Sequence, residues 1–417
     1  MGCKGTNFSY LCRKILKAMK KFVSFALLAM CMCANASEMS FKIGVSNSKQ
    51  ISVKDYPVVV SLKDTKFAVK SAMVTLNGID VPCQLDDMDG DLCPDELVFL
   101  ADVNGATENK YDVCLRSEGE QKNYPARVYA NMGLNDKYGK YPTINNIEAA
   151  GSSYLFKDVF PHGAEFESEL TAYRVYFDNR QNIDLYGKRK QGLELERTHF
   201  YSVKKDLDEG LGNDVLWAGG SMGCGTLREF KDGSPVLVEN VKLRGERIIA
   251  YGPLRTVVEM KDLGWNGNNI KTHYILYAGH REVEVQVFSD GPLAKWLMCT
   301  GVQKVGQEPF GWVKKNGLAV SWGKDYPDYG KKELYAPEAV GLAVYVPETY
   351  LADVAEDELQ YMCVLKLDKQ HTLKYFVTFC ADMEKESGFH SAAEWIEYVQ
   401  KWMVEKKNDG VKIKISK

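Results

Sequence analysis

The sequence predicts an all-β protein: a small N-terminal sandwich, then a large antiparallel sandwich, then one helix near the C-terminal end. Three observations predict it. Short runs rich in β-branched and aromatic residues recur between turn residues from Phe41 to Phe379. No helical periodicity separates these runs, which argues against parallel β-α-β units. The 35 Gly against 13 Pro, with 23 Tyr and 17 Phe, suit many turns joining aromatic-rich strands. The 417 residues are enough for two or three domains with sizeable cores. The formal net charge is −3 and no basic stripe stands out, so nucleic acid is not an expected partner.

The chain begins with a targeting pattern. Lys14, Lys17, Lys20 and Lys21 precede an apolar run, Phe22 to Cys33, that ends in Ala34-Asn35-Ala36. Residues 1–36 therefore read as a signal peptide cleaved before Ser37, and Met19 offers an alternative start. Met30 is bulkier than the residue that usually precedes a lipidated cysteine, which weakens a lipoprotein reading at Cys31. The expectation is an exported protein, periplasmic or secreted, with no membrane span beyond the leader. Seven cysteines lie beyond the leader, an odd number with no C-x-x-C spacing. They read as small buried hydrophobes, with Cys83 and Cys93 as a candidate staple across an acidic loop.

Residues 37–124 read as the small sandwich, from runs at 41–45, 58–62, 72–76, 97–100 and 111–115. Within it, Asp86-Asp87-Met88-Asp89-Gly90-Asp91 precedes Asp95-Glu96. Asp87, Asp89, Asp91 and Asp95 supply closely spaced hard oxygen ligands, so a structural calcium ion is expected there. The spacing is not that of an EF-hand, and an acidic turn is the alternative. No cofactor is expected for the chemistry itself.

Residues 125–410 read as the large sandwich, entered through a covering segment at 123–150. Pro161 to Glu196 reads as strand, turn, strand, with Tyr173–Phe177 and Ile183–Gly187 as adjacent antiparallel strands. This hairpin is dense in ionisable side chains. Alternation places Arg174, Tyr176 and Asp178 on one face and Glu165, Glu167 and Glu169 on the other. A strand polar on both faces suits the floor of a wet cleft, although an ion-pair ladder is the plainer account. Further runs occur at 236–243, 248–251, 255–260, 272–277, 283–288, 318–322, 340–346 and 373–379. The helix is expected over 391–407. Ser391-Ala392-Ala393-Glu394 is a capping box, and Trp395, Ile396, Val399, Trp402 and Met403 come after it at helical spacing.

Other candidates are less pointed. Gly219 to Gly225 is a Gly-rich loop without the Gly-Lys-Ser/Thr ending of a phosphate loop, so close backbone approach to a strand or a sugar is the better account. Cys224 is a poor nucleophile candidate. His280 sits at a turn and is a reserve acid or base. Trp312, Trp322, Tyr326 and Tyr329 would either stack on sugar rings or cover the core.

His162-Gly163-Ala164-Glu165-Phe166-Glu167-Ser168-Glu169, Tyr173-Arg174-Val175-Tyr176-Phe177-Asp178, Asp184-Leu185-Tyr186-Gly187-Lys188, Gly252-Pro253-Leu254-Arg255-Thr256-Val257 and Ala278-Gly279-His280-Arg281 together resemble DUF family 4861. The likeness extends over most of the chain after the leader. It implies a secreted glycan-degradation protein of Bacteroidetes type, with a large supersandwich of the galactose-mutarotase or polysaccharide-lyase kind. It also implies elimination on a uronic-acid-containing oligosaccharide, such as dehydration of ulvan fragments to a 4,5-unsaturated uronate. No catalytic residues come with the resemblance, so roles are assigned from chemistry. A cation must neutralise the carboxylate, a base must take the C5 proton, and an acid must protonate the leaving oxygen. Arg174 or Arg180 is the expected clamp, His162 or Tyr176 the base, and Tyr186 or Glu167 the acid, with Lys188 and His280 in reserve. The alternatives are a polysaccharide lyase, a non-catalytic glycan-binding protein and a mutarotase-like isomerase.

Overall fold

A computed structural model describes residues 37–293, 297–408 and 410–416. The expected signal peptide, residues 1–36, lies outside the described residues. Among the described residues the chain is mostly antiparallel β, with one long helix, Ala392–Lys407, and two short ones, Leu195–Thr198 and Lys204–Asp208. No described helix is long and apolar enough to cross a membrane.

Residues 38–116 form a five-stranded and a three-stranded sheet around one core, with Ile43, Val58, Val74, Leu97, Phe99 and Val113 inside it. The fifth strand comes from the other end of the chain. Val411–Ser416 pairs antiparallel with Glu38–Asn47, bringing Ile415 opposite Ile43.

The larger core is shared by a nine-stranded sheet and two five-stranded sheets. Period-two alternation sets how the nine-stranded sheet is buried on both sides. Along Glu338–Tyr345, Val340, Leu342 and Val344 enter this core, while Ala343 and Tyr345 face the helix Ala392–Lys407 through Trp395, Val399 and Trp402. The Ser391 hydroxyl caps that helix by accepting from the Glu394 N–H at 3.3 Å. The Glu394 carboxylate accepts from the His390 N–H at 2.8 Å, so the reciprocal half of the expected box is displaced by one residue.

Several expectations need correction. The covering segment contributes two real strands, Val128–Leu134 and Asn146–Ala150, each joined to a large sheet. The run at 236–243 is not one strand: Ser234–Val236 ends one and Leu243–Tyr251 begins the next. Cys83 is buried, Cys93 is exposed, and all seven described cysteines are free thiols, so nothing staples the acidic loop.

The two sandwiches meet through a buried ion cluster. Arg255 donates to Asp86, and to Glu96 at 2.8 Å, while Gln84 accepts from the Leu254 and Arg255 N–H groups at 2.8 and 3.0 Å.

Candidate functional site

The ionisable hairpin lies in a five-stranded sheet ordered Asn213–Asp214, Ile183–Gly187, Ala172–Tyr176, Val159–Ser168, Val128–Leu134. Glu165 pairs with Arg174, and Arg174 with Asp184. Paired residues of an antiparallel ladder point to the same side. The glutamate and arginine series therefore share one face, contrary to the expectation of opposite faces. The other face is apolar: Ala164, Phe166, Tyr173, Val175, Ile183 and Leu185 enter the large core.

The polar face is covered by residues 188–216. His199 and Phe200 both take left-handed backbone conformations, with φ of 44° and 66°. Two successive non-glycine residues there store strain, and they aim the rings of Phe200 and Tyr201 back at the sheet. The Arg174 guanidinium lies over Phe200 at 4.4 Å and Tyr201 at 5.2 Å.

Under this cover the expected residues separate into two groups. His162, Arg174, Tyr176 and Arg180 line one cavity of about 290 Å³, together with Phe156, Asp184, Tyr201, Asp214, Trp217, Asp328 and Lys331. Glu167, Tyr186 and Lys188 do not line it. Lys188 donates to Glu167 at 2.5 Å and to the Ser168 and Gly192 carbonyls at 2.6 Å, and Tyr186 donates to Glu194 at 2.9 Å. All three are buried and have hydrogen-bond partners in one network, which accounts for them structurally. The glutamates meet basic partners: Glu165, fully buried, pairs with His199 at 2.8 Å, and Glu169, part-exposed, with Arg127 at 2.5 Å.

His280 is also elsewhere. It bridges Glu282 at 2.9 Å and the Asp55 carbonyl at 2.8 Å; burial opposes its charge, but the Glu282 carboxylate outweighs burial and raises the imidazole above its ordinary range. Trp312 and Trp322 pack beside the C-terminal helix and not on the cavity. Tyr326 and Tyr329 flank Pro327 and Asp328 of the cavity wall, and Tyr329 meets Trp217 edge-on at 5.9 Å. Cys224 is fully buried and its thiol is pushed well up by that burial, which makes it inert.

Within the cavity each group has a definite state. His162 Nδ1 lies 2.8 Å from the Phe156 carbonyl, which can only accept, so Nδ1 carries the proton and Nε2 keeps a lone pair. Burial, followed by the Arg174 and Arg180 charges, pulls the imidazole below its ordinary range against the opposing Phe156 bond and Asp184 charge. His162 itself has φ of 75°, a left-handed position that a non-glycine residue seldom takes. Tyr176 donates to Asp184 at 2.6 Å, and burial followed by the Asp184 charge pushes its hydroxyl far up. It holds its proton, which counts against the base role considered from sequence.

The two arginines differ. Arg174 is buried and both its Nη atoms are engaged, by Asp184, Tyr176 at 3.1 Å, Tyr201 at 3.0 Å and the Pro161 carbonyl at 3.0 Å, while its Nε has no hydrogen-bond partner among the described residues. Arg180 is half-buried and spends Nε and Nη2 on Asp178, leaving Nη1 outside these bonds. Asp214 is held well up by burial and by the neighbouring Asp184.

In the acidic loop, Asp87, Asp89 and Asp95 each bring a carboxylate oxygen within 4.8 Å of the others. Asp91 is not part of this group and caps the Cys93 N–H at 2.7 Å.

Sequence reasoning passed over Phe156, Tyr201, Asp214, Trp217, Asp328 and Lys331. Trp217 stands two residues before the first glycine of the Gly-rich loop, and Asp328 sits inside the aromatic Tyr326–Tyr329 stretch, so both had a signal. Asp214 and Tyr201 had none, because only the fold of residues 188–216 brings them over the hairpin.

The family profile described as "Domain of unknown function (DUF4861)" matches residues 45–412. No curated protein matches the chain. Among solved structures, a protein in the glycosyl hydrolase family 38 from Enterococcus faecalis aligns with a TM-score of 0.45 and 8% identity, over 91% of this chain and 47% of that one. An alpha-mannosidase from Enterococcus faecalis V583 aligns with a TM-score of 0.42 and 7% identity, over 91% and 46%. The chain thus spans about half the length of each of these two proteins.

Proposed function

The chain belongs to the DUF4861 family, whose description names no reaction, and from the cavity we propose a carbohydrate-active enzyme that acts by elimination on a uronic-acid-containing oligosaccharide. The observation that carries the reading is His162: its Nδ1 is committed to Phe156, which leaves a neutral Nε2 beside a protonated tyrosine and a partly free arginine. In the proposed reaction Arg180 Nη1 binds the uronate carboxylate and makes the C5 proton acidic. His162 Nε2 takes that proton. The C5–H electron pair forms the C4–C5 double bond, and the C4–O bond breaks. Tyr176 gives its proton to the departing oxygen and draws another through solvent or the imidazolium. The Arg174 charge stabilises the transient phenolate. Tyr329 and Trp217 offer exposed aromatic faces at the rim for a sugar ring.

A second reading rests on Asp184 and Asp214. Two carboxyl groups in one cavity, one of them raised well above the carboxylate range by burial and the neighbouring Asp184, also suit glycoside hydrolysis.

The test is incubation with a panel of uronate oligosaccharides, monitoring ultraviolet absorbance of the alkene and release of new reducing ends. Alkene without new ends means dehydration, and alkene with new ends means a lyase. New ends without alkene would replace elimination by hydrolysis. Binding without either product would leave a glycan-binding module, and anomer exchange alone a mutarotase-like isomerase.

A further inference from the structure

Beside the catalytic cavity lies a second one of about 190 Å³, which shares Arg180, Asn182 and Gly219 with it. The rest of its lining includes Gly220, Ser221, Arg228 and Gln360. Arg228 is the unusual member. It is 5% exposed, and its guanidinium donates only to neutral oxygens: the Arg180 carbonyl, Asn182 Oδ1, and the Leu227 carbonyl at 3.2 Å. Among the described residues no carboxylate lies within ion-pair distance of it, whereas Arg174, Arg244, Arg255 and Arg281, as deeply buried, each have one. A buried charge without a counter-charge is unfavourable unless a ligand supplies one. Burial without such a partner pulls the Arg228 guanidinium down to about 10, which leaves it charged at neutral pH. The Gly-rich loop beside it has the openness a ligand needs: a Cβ on Gly220 would meet nothing within 4 Å. Close approach to a strand is found instead at Gly225 of the same loop, where a Cβ would collide with the Val377 side chain.

We propose that this cavity is an anion subsite, in which Arg228 binds a sulfate ester or a carboxylate on the sugar next to the reacting one. The proposal rests on reading the larger cavity as a glycan site. The substrate class then narrows to oligosaccharides with two neighbouring anionic groups, one held by Arg180 and the other by Arg228. The shared wall of Arg180, Asn182 and Gly219 makes the two subsites contiguous.

The test uses inorganic probes on the intact protein. Melting curves are recorded in sodium sulfate, sodium acetate and sodium chloride at matched ionic strength. Sulfate or acetate should raise the melting temperature above chloride in the wild type, and the larger gain tells a sulfate ester from a carboxylate. Gly220→Asp places a fixed carboxylate in the subsite where there is room for it. It should weaken the anion's apparent dissociation constant by about tenfold or more, and Arg228→Gln should do the same. If Arg228→Gln does not fold, Gly220→Asp decides alone. A gain shared equally by the wild type and Gly220→Asp would be the general exclusion effect of the salt and would overturn the proposal. So would a wild type that prefers neither anion to chloride. No readout in this test depends on alkene formation, so failure of the subsite and failure of the elimination chemistry are separate results.

Discussion

At the scale of residues, the two cavity arginines predict opposite phenotypes. Arg174 and Asp184 are a buried pair, 1% and 5% exposed at their side chains. Arg174→Ala leaves Asp184 uncompensated and should destabilise the fold by about 3–5 kcal/mol. Arg180 is over a third exposed, and its buried partner Asp178 keeps the Arg180 and Gln181 N–H bonds, so, compared with Arg174→Ala, Arg180→Ala should cost less stability. Its kcat/KM on a uronate substrate should nevertheless fall by about two orders of magnitude, with partial recovery in Arg180→Lys. Melting curves and initial rates on the same preparations check both. His162 predicts a pH dependence. Its folded pKa lies below the ordinary value of about 6.5, so the acidic limb of kcat/KM should fall at a pH below that value. For stability the unfolded chain takes up the proton first as pH drops. Stability should therefore decline from about pH 6.5 down to the folded pKa and then level off. His162→Gln should remove that part of the decline in melting temperature. The site was half legible at this scale. Ionisable side chains at strand spacing pointed to His162, Arg174, Tyr176 and Arg180. They could not separate these from Glu167, Tyr186 and Lys188, because alternation gives which residues of one strand share a face, and neither how two strands' faces coincide nor what lies over them. Residues 188–216 cover both groups and enclose a cavity over only the first.

At the scale of elements, the acidic loop carries a prediction of its own. A calcium ion held by Asp87, Asp89 and Asp95 should raise the melting temperature of the wild type and not of Asp89→Ala, Asp95→Ala. Asp91→Ala should respond like the wild type, since Asp91 is turned to the Cys93 N–H. An equal calcium response in the double variant and the wild type would remove the ion from the account. The loop's carboxylates already accept backbone N–H bonds, Asp87 from Gly90 at 2.6 Å and Asp95 from Met88 at 2.8 Å, so the turn has a cation-independent hold on its shape. Strand existence was the most legible property, as at Tyr173 and Ile183, where β-branched and aromatic residues sit between turn signals. Val128–Leu134 was missed because its Tyr-Ala-Asn-Met-Gly sequence has little β character. Its place in the sheet comes from pairing with Val159–Ser168, a tertiary effect.

At the scale of the whole molecule, Arg255 is one of the places where the two sandwiches are held together, beside Arg127 on Asp55 and His280 on the Asp55 carbonyl. Arg255→Ala leaves Asp86 buried without its partner. It should bring out an earlier calorimetric transition for the N-terminal sandwich, while the large sandwich melts near its wild-type temperature. A single transition, shifted as a whole, would mean that the joint does not depend on this cluster. The motif around Gly252–Val257 thus has a structural reason that its sequence did not disclose. The strand Val411–Ser416 has a different kind of consequence, one in time. A chain made from its N-terminus presents Glu38–Asn47 hundreds of residues before the strand that will flank it. Until then that strand is an open edge, able to pair with a neighbouring chain. Closing so long a loop late is slow. Crowded or rushed production should therefore yield aggregates seeded at this edge, and supplying a peptide of residues 411–416 during refolding should suppress them.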